Sequence, residues 1–502
     1  MDALLRAIVL VAEPQVLLTI LASSIFGLMV GCIPGLTATM ATALLVPFAM
    51  FLDPVSAIAS IVAATAMAIF AGDIPGTLLR LPGTPASAAY VHHSYRLAMS
   101  GRAGEVLGLN LVFSALGGLL GTVVLVAAAP TLADYALSLS SFEFFWLSML
   151  GLSCAVFLVG DNVPKGAAAL LLGLLLATVG RDYSTAFPRF TFDDPELLDG
   201  IPFVSALIGF FAVPEIIRTL RDPGVLGAVP VVQASRIFQG MGRAILRWRW
   251  NFLRSGLVGT FVGALPGGGA DTAAWAAYGM SRRLSRDPEA WDKEGIEGIV
   301  DATSANNASL SGAWIPALVF AIPGDTITAI AIGVLYLKNV TPGPSIFLEN
   351  AHVLYAVFIT FFIANLLMIP LGWLAIRAAV PLLKVPRQML MAPLLLFACL
   401  GAFAVDNSLF GIGTMLACGL LGYWMEENGI PVGPAVLGMV MGRLVEENLM
   451  TSLIKVQGDL TRFFDRPVAT ALAAFTLLVW VWPLARSLRR HLARRAPATP
   501  PA

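Results

Sequence analysis

Charge is scarce in this sequence. Lysine, arginine, aspartate and glutamate make up 12% of its 502 residues, about half the roughly 25% usual in a soluble domain. The charges also cancel, 31 basic against 31 acidic, so there is no basic field to attract nucleic acid. Cysteine is rare. Cys32, Cys154, Cys399 and Cys418 lie far apart in apolar stretches, which excludes a disulfide scaffold and reads as four small buried hydrophobes. Histidine is equally rare. The four include the adjacent His92 and His93 but no H-E-x-x-H, so an intramembrane zinc protease or a haem site is unsupported. Gly267-Gly268-Gly269 invites a phosphate-loop reading, but no G-x-x-x-x-G-K-[ST] is present, and ATP hydrolysis is not expected. No cofactor is implied.

Apolar residue is abundant instead, at 58%, with a mean hydropathy of +0.82. It is spread over the whole length in runs at 15–31, 36–52, 55–71, 106–129, 143–160, 165–180, 201–220, 298–320, 351–376, 388–404, 410–425 and 468–485. This pattern predicts an all-α, polytopic protein embedded in a lipid bilayer. The amino terminus does not read as a secretory signal, because Asp2, Glu13 and Pro14 spoil the required pattern; the first segment is expected to be retained.

Several runs are shorter than the roughly 20 residues that span a bilayer. They are cut at Pro34-Gly35, Pro82-Gly83, Pro266-Gly267 and Pro323-Gly324. Proline removes a backbone donor and clashes with the preceding turn. A helix broken at membrane depth must have its freed backbone groups satisfied by protein or a wet cavity. One such break reads as a kinked packing helix; four call for another explanation.

The breaks also recur in order. Gly27, Gly31, Pro34 and Gly35 match Gly259, Gly263, Pro266 and Gly267, an offset of 232 from 34 to 266. Leu81-Pro82-Gly83 matches Ile322-Pro323-Gly324, an offset of 241 from 82 to 323. Asp161-Asn162 matches Asp406-Asn407, an offset of 245 from 161 to 406. Paired, Gly/Pro-interrupted segments in two halves point to a secondary-transporter binding site. The expected organisation is a first transmembrane repeat over 1–220, a basic linker over 221–254, a second, inverted repeat over 255–485 and a basic tail over 486–502. The linker carries Arg236, Arg243, Arg247, Arg249 and Arg254, and the tail Arg486, Arg489, Arg490, Arg494 and Arg495. Both are expected to face the cytoplasm. Residues 181–199, with Arg181 and Arg189 against Asp182, Asp193, Asp194, Glu196 and Asp199, are placed outside. Trp248 and Trp250 around Arg249 read as an interfacial anchor.

The ends of broken helices offer unpaired N–H groups to a carboxylate, and carbonyl, Thr and Asn oxygens to Na⁺. The candidate residues are Pro34, Gly35, Thr37 and Thr39 at the first break; Arg80, Gly83 and Thr84 at the second; Gly267, Gly268, Asp271 and Thr272 at the third; and Gly324, Asp325 and Thr326 at the fourth. Asn306 and Asn307 are expected to open a second-half segment, with Na⁺ expected near them and Thr39. Ordinary helix capping is the competing account of the Thr and Asn residues. Arg80 has two readings, a fork onto a substrate carboxylate or a structural partner for Asp325 or Asp73. Asp271 and Asp325 are candidate proton carriers or Na⁺ ligands, and would repel an anion unless countered.

These segments resemble the large permease subunit of the tripartite tricarboxylate transporters. The resemblance rests on GCIPGLTATMATALLVPF (31–48), LLRLPGTPASAA (78–89), GRAG (101–104), GLLLATVGRD (173–182), RFTF (189–192), GTFVGALPGGGADTAAWAAYG (259–279), EGIVDATSANNA (297–308), AIPGDTITAIAIG (321–333), TPGPSIF (341–347) and GIPVGPAVLGMVMGRLVEENL (429–449). It implies a multi-pass permease of the bacterial inner membrane. The permease would work with a small membrane subunit and a periplasmic solute-binding protein, importing a small carboxylate on a Na⁺ or H⁺ gradient. The chain departs from the family pattern at Asp73, Arg80, His93-Ser94, Asp271, Thr303 and Asp325. These exchanges redistribute charge around the expected site and weaken a citrate reading. A channel and an intramembrane aspartyl enzyme are the competing classes. The second lacks its motif, since the acids sit in G-G-G-A-D and I-P-G-D. Oligomeric state, a homo-oligomer included, and elevator or rocking motion are left open.

Overall fold

A computed structural model describes residues 2–158, 163–221, 237–383, 387–457 and 459–495. Asp161-Asn162, the linker through Arg236 and residues 496–502 lie outside the described residues. So do the side chains of Asp406 and of the tail arginines Arg486, Arg489, Arg490, Arg494 and Arg495. The helices in chain order are α1 (Asp2–Val11), α2 (Pro14–Cys32), α3 (Ala38–Ala49), α4 (Pro54–Ala71), α5 (Asp73–Leu79), α6 (Val91–Leu97), α7 (Ala103–Ala136), α8 (Ser141–Leu158), α9 (Val163–Ala177), α10 (Phe203–Arg221), α11 (Met241–Arg247), α12 (Arg249–Ala264), α13 (Gly269–Leu284), α14 (Pro288–Glu294), α15 (Ile296–Phe320), α16 (Thr326–Leu337), α17 (Ile346–Glu349), α18 (Ala351–Leu383), α19 (Arg387–Asp406), α20 (Leu409–Glu427), α21 (Val432–Lys455) and α22 (Pro467–Arg495). Among the described residues, the strands are one short antiparallel pair, β1 (Gly180–Arg181) and β2 (Pro188–Arg189). The described part of the linker is itself helical, since α12 already begins at Arg249.

The protein is all-α, as the composition requires. Among the described residues, seven helical segments are long and apolar enough to cross a membrane, fewer than the twelve apolar runs. The breaks account for much of the difference. α3 and α16 have 12 residues each, about 18 Å at 1.5 Å per residue, against a hydrocarbon core of about 30 Å. They are half-helices.

Two buried helices form the centre. α4 is buried along its length after Pro54, and α15 from Gly298 to Val319. Each is flanked by a glycine-bearing helix at backbone contact. A Cβ on Gly27 or Gly31 of α2 would stand 2.1 Å from Ala64 O and 2.5 Å from Ala68 O on α4. A Cβ on Gly259 or Gly263 of α12 would stand 2.4 Å from Ala305 O and 2.2 Å from Ser309 O on α15. The glycines are related by the 232 offset and the carbonyls they meet by the 241 offset. The same atomic arrangement therefore occurs twice. Contacts between the halves cross over: α4 packs on α18 and α15 on α7, while α9 packs on α21 and α10 on α20.

The linker is anchored from within. Arg254 Nη2 lies 2.6 Å from the buried Asp301 of α15, which also accepts from Ser255 Oγ at 2.5 Å. Trp250 is exposed, with Arg249 stacked over its ring at 5.9 Å, the arrangement expected of an interfacial anchor.

Gly27→Ala and Gly259→Ala force a methyl group into backbone, and overpacking of this kind costs about 1–3 kcal/mol. Both variants should melt at lower temperature than the parent in detergent. Gly413→Ala, with nothing within 4 Å of the new methyl, should not. Equal melting temperatures for all three would disprove this account of the helix contacts.

Candidate functional site

The first and third breaks share one construction. After α2, Ile33 is extended and its N–H bonds Val30 O; after α12, Leu265 is extended and its N–H bonds Val262 O. Gly35 (φ 94°) and Gly267 (φ 80°) then turn the chain through the left-handed region, which side chains disfavour. The second and fourth breaks share another. Arg80 (φ 60°) ends α5 and Ala321 (φ 57°) ends α15, both left-handed. Gly83 then lies against Gly72, and Gly324 against Ala313 and Gly263.

The four tips meet across the two halves. Thr39 Oγ1 is 3.4 Å from Thr326 Oγ1, joining the first break to the fourth. Ala86 N donates to Asp271 Oδ1 at 2.9 Å, joining the second to the third, and Trp275 Nε1 donates to Pro85 O at 3.2 Å beside it. Gly267 N donates to Gly324 O at 2.7 Å, tying the third to the fourth. Under the two offsets Thr39 corresponds to Asp271 and Pro85 to Thr326, so the Thr39–Thr326 and Asp271–Ala86 contacts are equivalent to within one residue. Backbone groups freed at one tip thus find partners on another, as the low-dielectric setting demands.

Arg80, Asp271, Pro85 and Trp275 are exposed, and Gly35, Thr37, Thr39, Gly267, Thr272, Asp325 and Thr326 are half-buried. They form the accessible part of the junction. Pro34, Gly83, Thr84, Gly268, Gly324, Asn306 and Asn307 are buried behind it. Thr37 caps α3 by accepting from Met40 N at 3.2 Å. Thr84 and Ser87 exchange hydrogen bonds that shape the second tip. Asp325 caps α16: its Oδ1 accepts from Thr328 N at 2.8 Å, while its own N–H donates to Thr328 Oγ1 at 2.9 Å. Asp271 lies in the first turn of α13. Each acid thus sits at a helix N-terminus, where a negative charge is favoured. That setting removes the need for the Arg80 pairing. Among the described residues Arg80 makes no ion pair, and its Nη2 is 3.5 Å from His92 Nδ1.

Asn306 and Asn307 do not open a segment. They lie midway along α15, with buried helix on both sides. No hydrogen bond among the described residues joins Thr39 to either of them; Asn307 Nδ2 faces Met368 Sδ at 3.8 Å. Sequence reasoning missed Tyr90, whose hydroxyl donates to Asp73 Oδ1 inside the protein, and Trp275, which braces the second tip. Neither carries a motif of its own. Only the recurrence of the breaks, which sets Pro85 opposite Thr326, marks the neighbourhood.

Elsewhere, two side-chain cations reach main-chain carbonyls. Arg96 Nη2 donates to Asp292 O at 2.8 Å, and His93 Nδ1 is 2.6 Å from Tyr278 Oη. Lys338 Nζ donates to Met50 O at 2.6 Å. Lys338 is one residue from the counterpart of Arg96 under the 241 offset.

The profile described as the Tripartite tricarboxylate transporter TctA family matches residues 17–437. An uncharacterized 52.8 kDa protein in the TAR-I ttuC' 3' region of Agrobacterium vitis is 33% identical over 470 residues, covering 93% of this chain and 92% of its own length. An uncharacterized protein in the TAR-II ttuC' 3' region of the same organism is 32% identical over 231 residues, 46% of this chain and 96% of its own. No solved structure matches. With a family match across most of the chain and a relative aligned nearly end to end, the chain belongs to the tripartite tricarboxylate transporter TctA family.

Proposed function

We propose that this chain is the large permease subunit of a binding-protein-dependent importer in the bacterial inner membrane. It takes a small carboxylate from a periplasmic solute-binding protein, works beside a small membrane subunit and is driven by an ion gradient. One observation carries the reading: four half-helix tips, two from each half, meet at an accessible junction inside an apolar bundle. Such a junction offers an anion the N–H groups at helix ends, and offers an ion carbonyl and hydroxyl oxygens. Arg80, exposed at the second tip and free of any acid among the described residues, supplies a fixed positive charge for a carboxylate. Asp271 and Asp325 lower the positive potential of two of the helix ends, so the site favours a solute of lower charge than a tricarboxylate. The recurrent geometry and the crossed packing support an internal duplication, and a secondary transporter of this construction has its halves inverted.

Uptake into membrane vesicles checks the energetic claim. With the small subunit and the binding protein present, radiolabelled acetate, succinate and citrate serve as probes. Uptake of at least one should collapse when ionophores dissipate the ion gradients and continue when ATP is depleted. Uptake that needs ATP after the gradients are gone overturns secondary transport.

Arg80→Lys keeps the charge and loses the planar fork. It should raise the half-saturating solute concentration about tenfold or more, which is about 1.4 kcal/mol, with unchanged amounts of protein in the membrane. An unaltered saturation curve removes Arg80 from the site.

Inversion has its own readout. Single cysteines replacing Glu13 before α2 and Trp250 in α12, both exposed, should react with an impermeant thiol reagent from opposite faces of the membrane. Labelling from one face means the halves are parallel.

A further inference from the structure

One buried acid takes no part in the junction described above. Asp73 opens α5 immediately behind the second break and is 1% exposed. Its Oδ1 accepts the Tyr90 hydroxyl, and its Oδ2 has no partner. Asn306, also 1% exposed, adjoins the same hydroxyl and acts on it, while its Oδ1 has no hydrogen-bond partner. A native interior rarely leaves such atoms unmatched. Here a carboxylate oxygen and a carboxamide gather around a single phenol, all enclosed by protein.

The elements packed against α5 are α2, α4, α6, α7, α18 and the turn Ser87–Ala89. Tyr90, just after that turn, is the one titratable group that acts on the Asp73 carboxyl. Several charged and titratable side chains of the neighbouring helices are engaged elsewhere. His92 faces Arg80, His93 faces Tyr278, and Arg96 bonds Asp292 O. Arg102 pairs with Glu105, and Arg377 stacks on Trp373. Cys32 at the end of α2 is a buried thiol. Among the described residues no cation offsets a negative charge on Asp73, and an unpaired buried carboxylate is expensive. A proton on Oδ2 removes that cost.

The position couples this group to the junction. Gly83 N donates to Gly72 O at 3.1 Å, and a Cβ on Gly83 would stand 2.6 Å from Gly72 Cα. The second tip therefore rests directly on the residue before Asp73, and movement of the tip changes what encloses the carboxyl.

We propose that Asp73, with Tyr90 and Asn306, forms an exchangeable proton site, which makes H⁺ the ion this permease couples to its solute. The step balances simply. One proton from water bonds to Asp73 Oδ2, converting carboxylate to carboxylic acid, and the reverse step returns it; Tyr90 keeps its own proton. The proposal rests on the importer reading, but its first test needs no solute and so fails or stands separately.

Infrared difference spectra of the purified full chain, recorded as pH is varied, should show a carboxylic-acid carbonyl band that titrates. The band should be missing in Asp73→Asn. Tyr90→Phe removes the donor that favours the ionised form, so the titration should move about one pH unit or more upward; this variant keeps the test decisive if Asp73→Asn fails to accumulate. In the vesicle assay with acetate, succinate and citrate, the stimulation given by an imposed inward proton gradient should be lost in Asp73→Asn. Three results would overturn the proposal: no titrating band assignable to Asp73, proton-driven stimulation that survives in Asp73→Asn, or radioactive Na⁺ that binds the parent chain and not Asp73→Asn.

Discussion

Backbone groups released by a broken helix inside a bilayer have no water to turn to, and this constraint organises the whole molecule. The chain breaks four helices and lets the exposed ends serve one another. Gly267 N finds Gly324 O, Ala86 N finds Asp271, and the Thr39 and Thr326 hydroxyls meet. Two of these contacts, Ala86 with Asp271 and Thr39 with Thr326, join one half to the other. The junction consequently cannot form from one half alone, and the crossed packing of α4 on α18 and α15 on α7 is what brings the halves into register. The glycines of α2 and α12 serve the same end, since they let each hairpin approach its central helix at backbone distance.

Much of this was legible in the sequence, because proline and glycine act through the backbone and leave a positional signature. The four breaks fall where Pro34, Pro82, Pro266 and Pro323 place them. The two offsets hold down to individual contacts, so that Gly31 meets Ala68 O as Gly263 meets Ser309 O. The left-handed turn at Arg80 recurs at Ala321, although the two side chains have nothing in common.

Side-chain chemistry was less legible, for a physical reason. A polar residue in an apolar run signals that it needs a partner without saying which one. Asn306 and Asn307 look like residues at a helix start, yet they sit mid-helix, because α15 is enclosed by α7, α12 and α13 and its polar face is turned inward. Asp325 looks like half of an ion pair with Arg80, but its carboxylate is occupied by capping α16. Tyr90 has no pattern around it at all. Its significance comes only from a fold that brings residue 90 against residue 73.

The two contacts that link cations to carbonyls, Arg96 on Asp292 O and Lys338 on Met50 O, have a mechanical consequence. Among the described residues neither cation forms an ion pair, so each contact is a charge-assisted hydrogen bond to a peptide carbonyl. A hydrogen bond involving one charged group contributes about 1.5–3 kcal/mol, within the energy that a well-bound small solute supplies. Because both acceptors are peptide carbonyls, their strength does not follow the protonation of a neighbouring acid. The two contacts are fastenings made to the main chain, and they hold whatever side chains the acceptor residues carry.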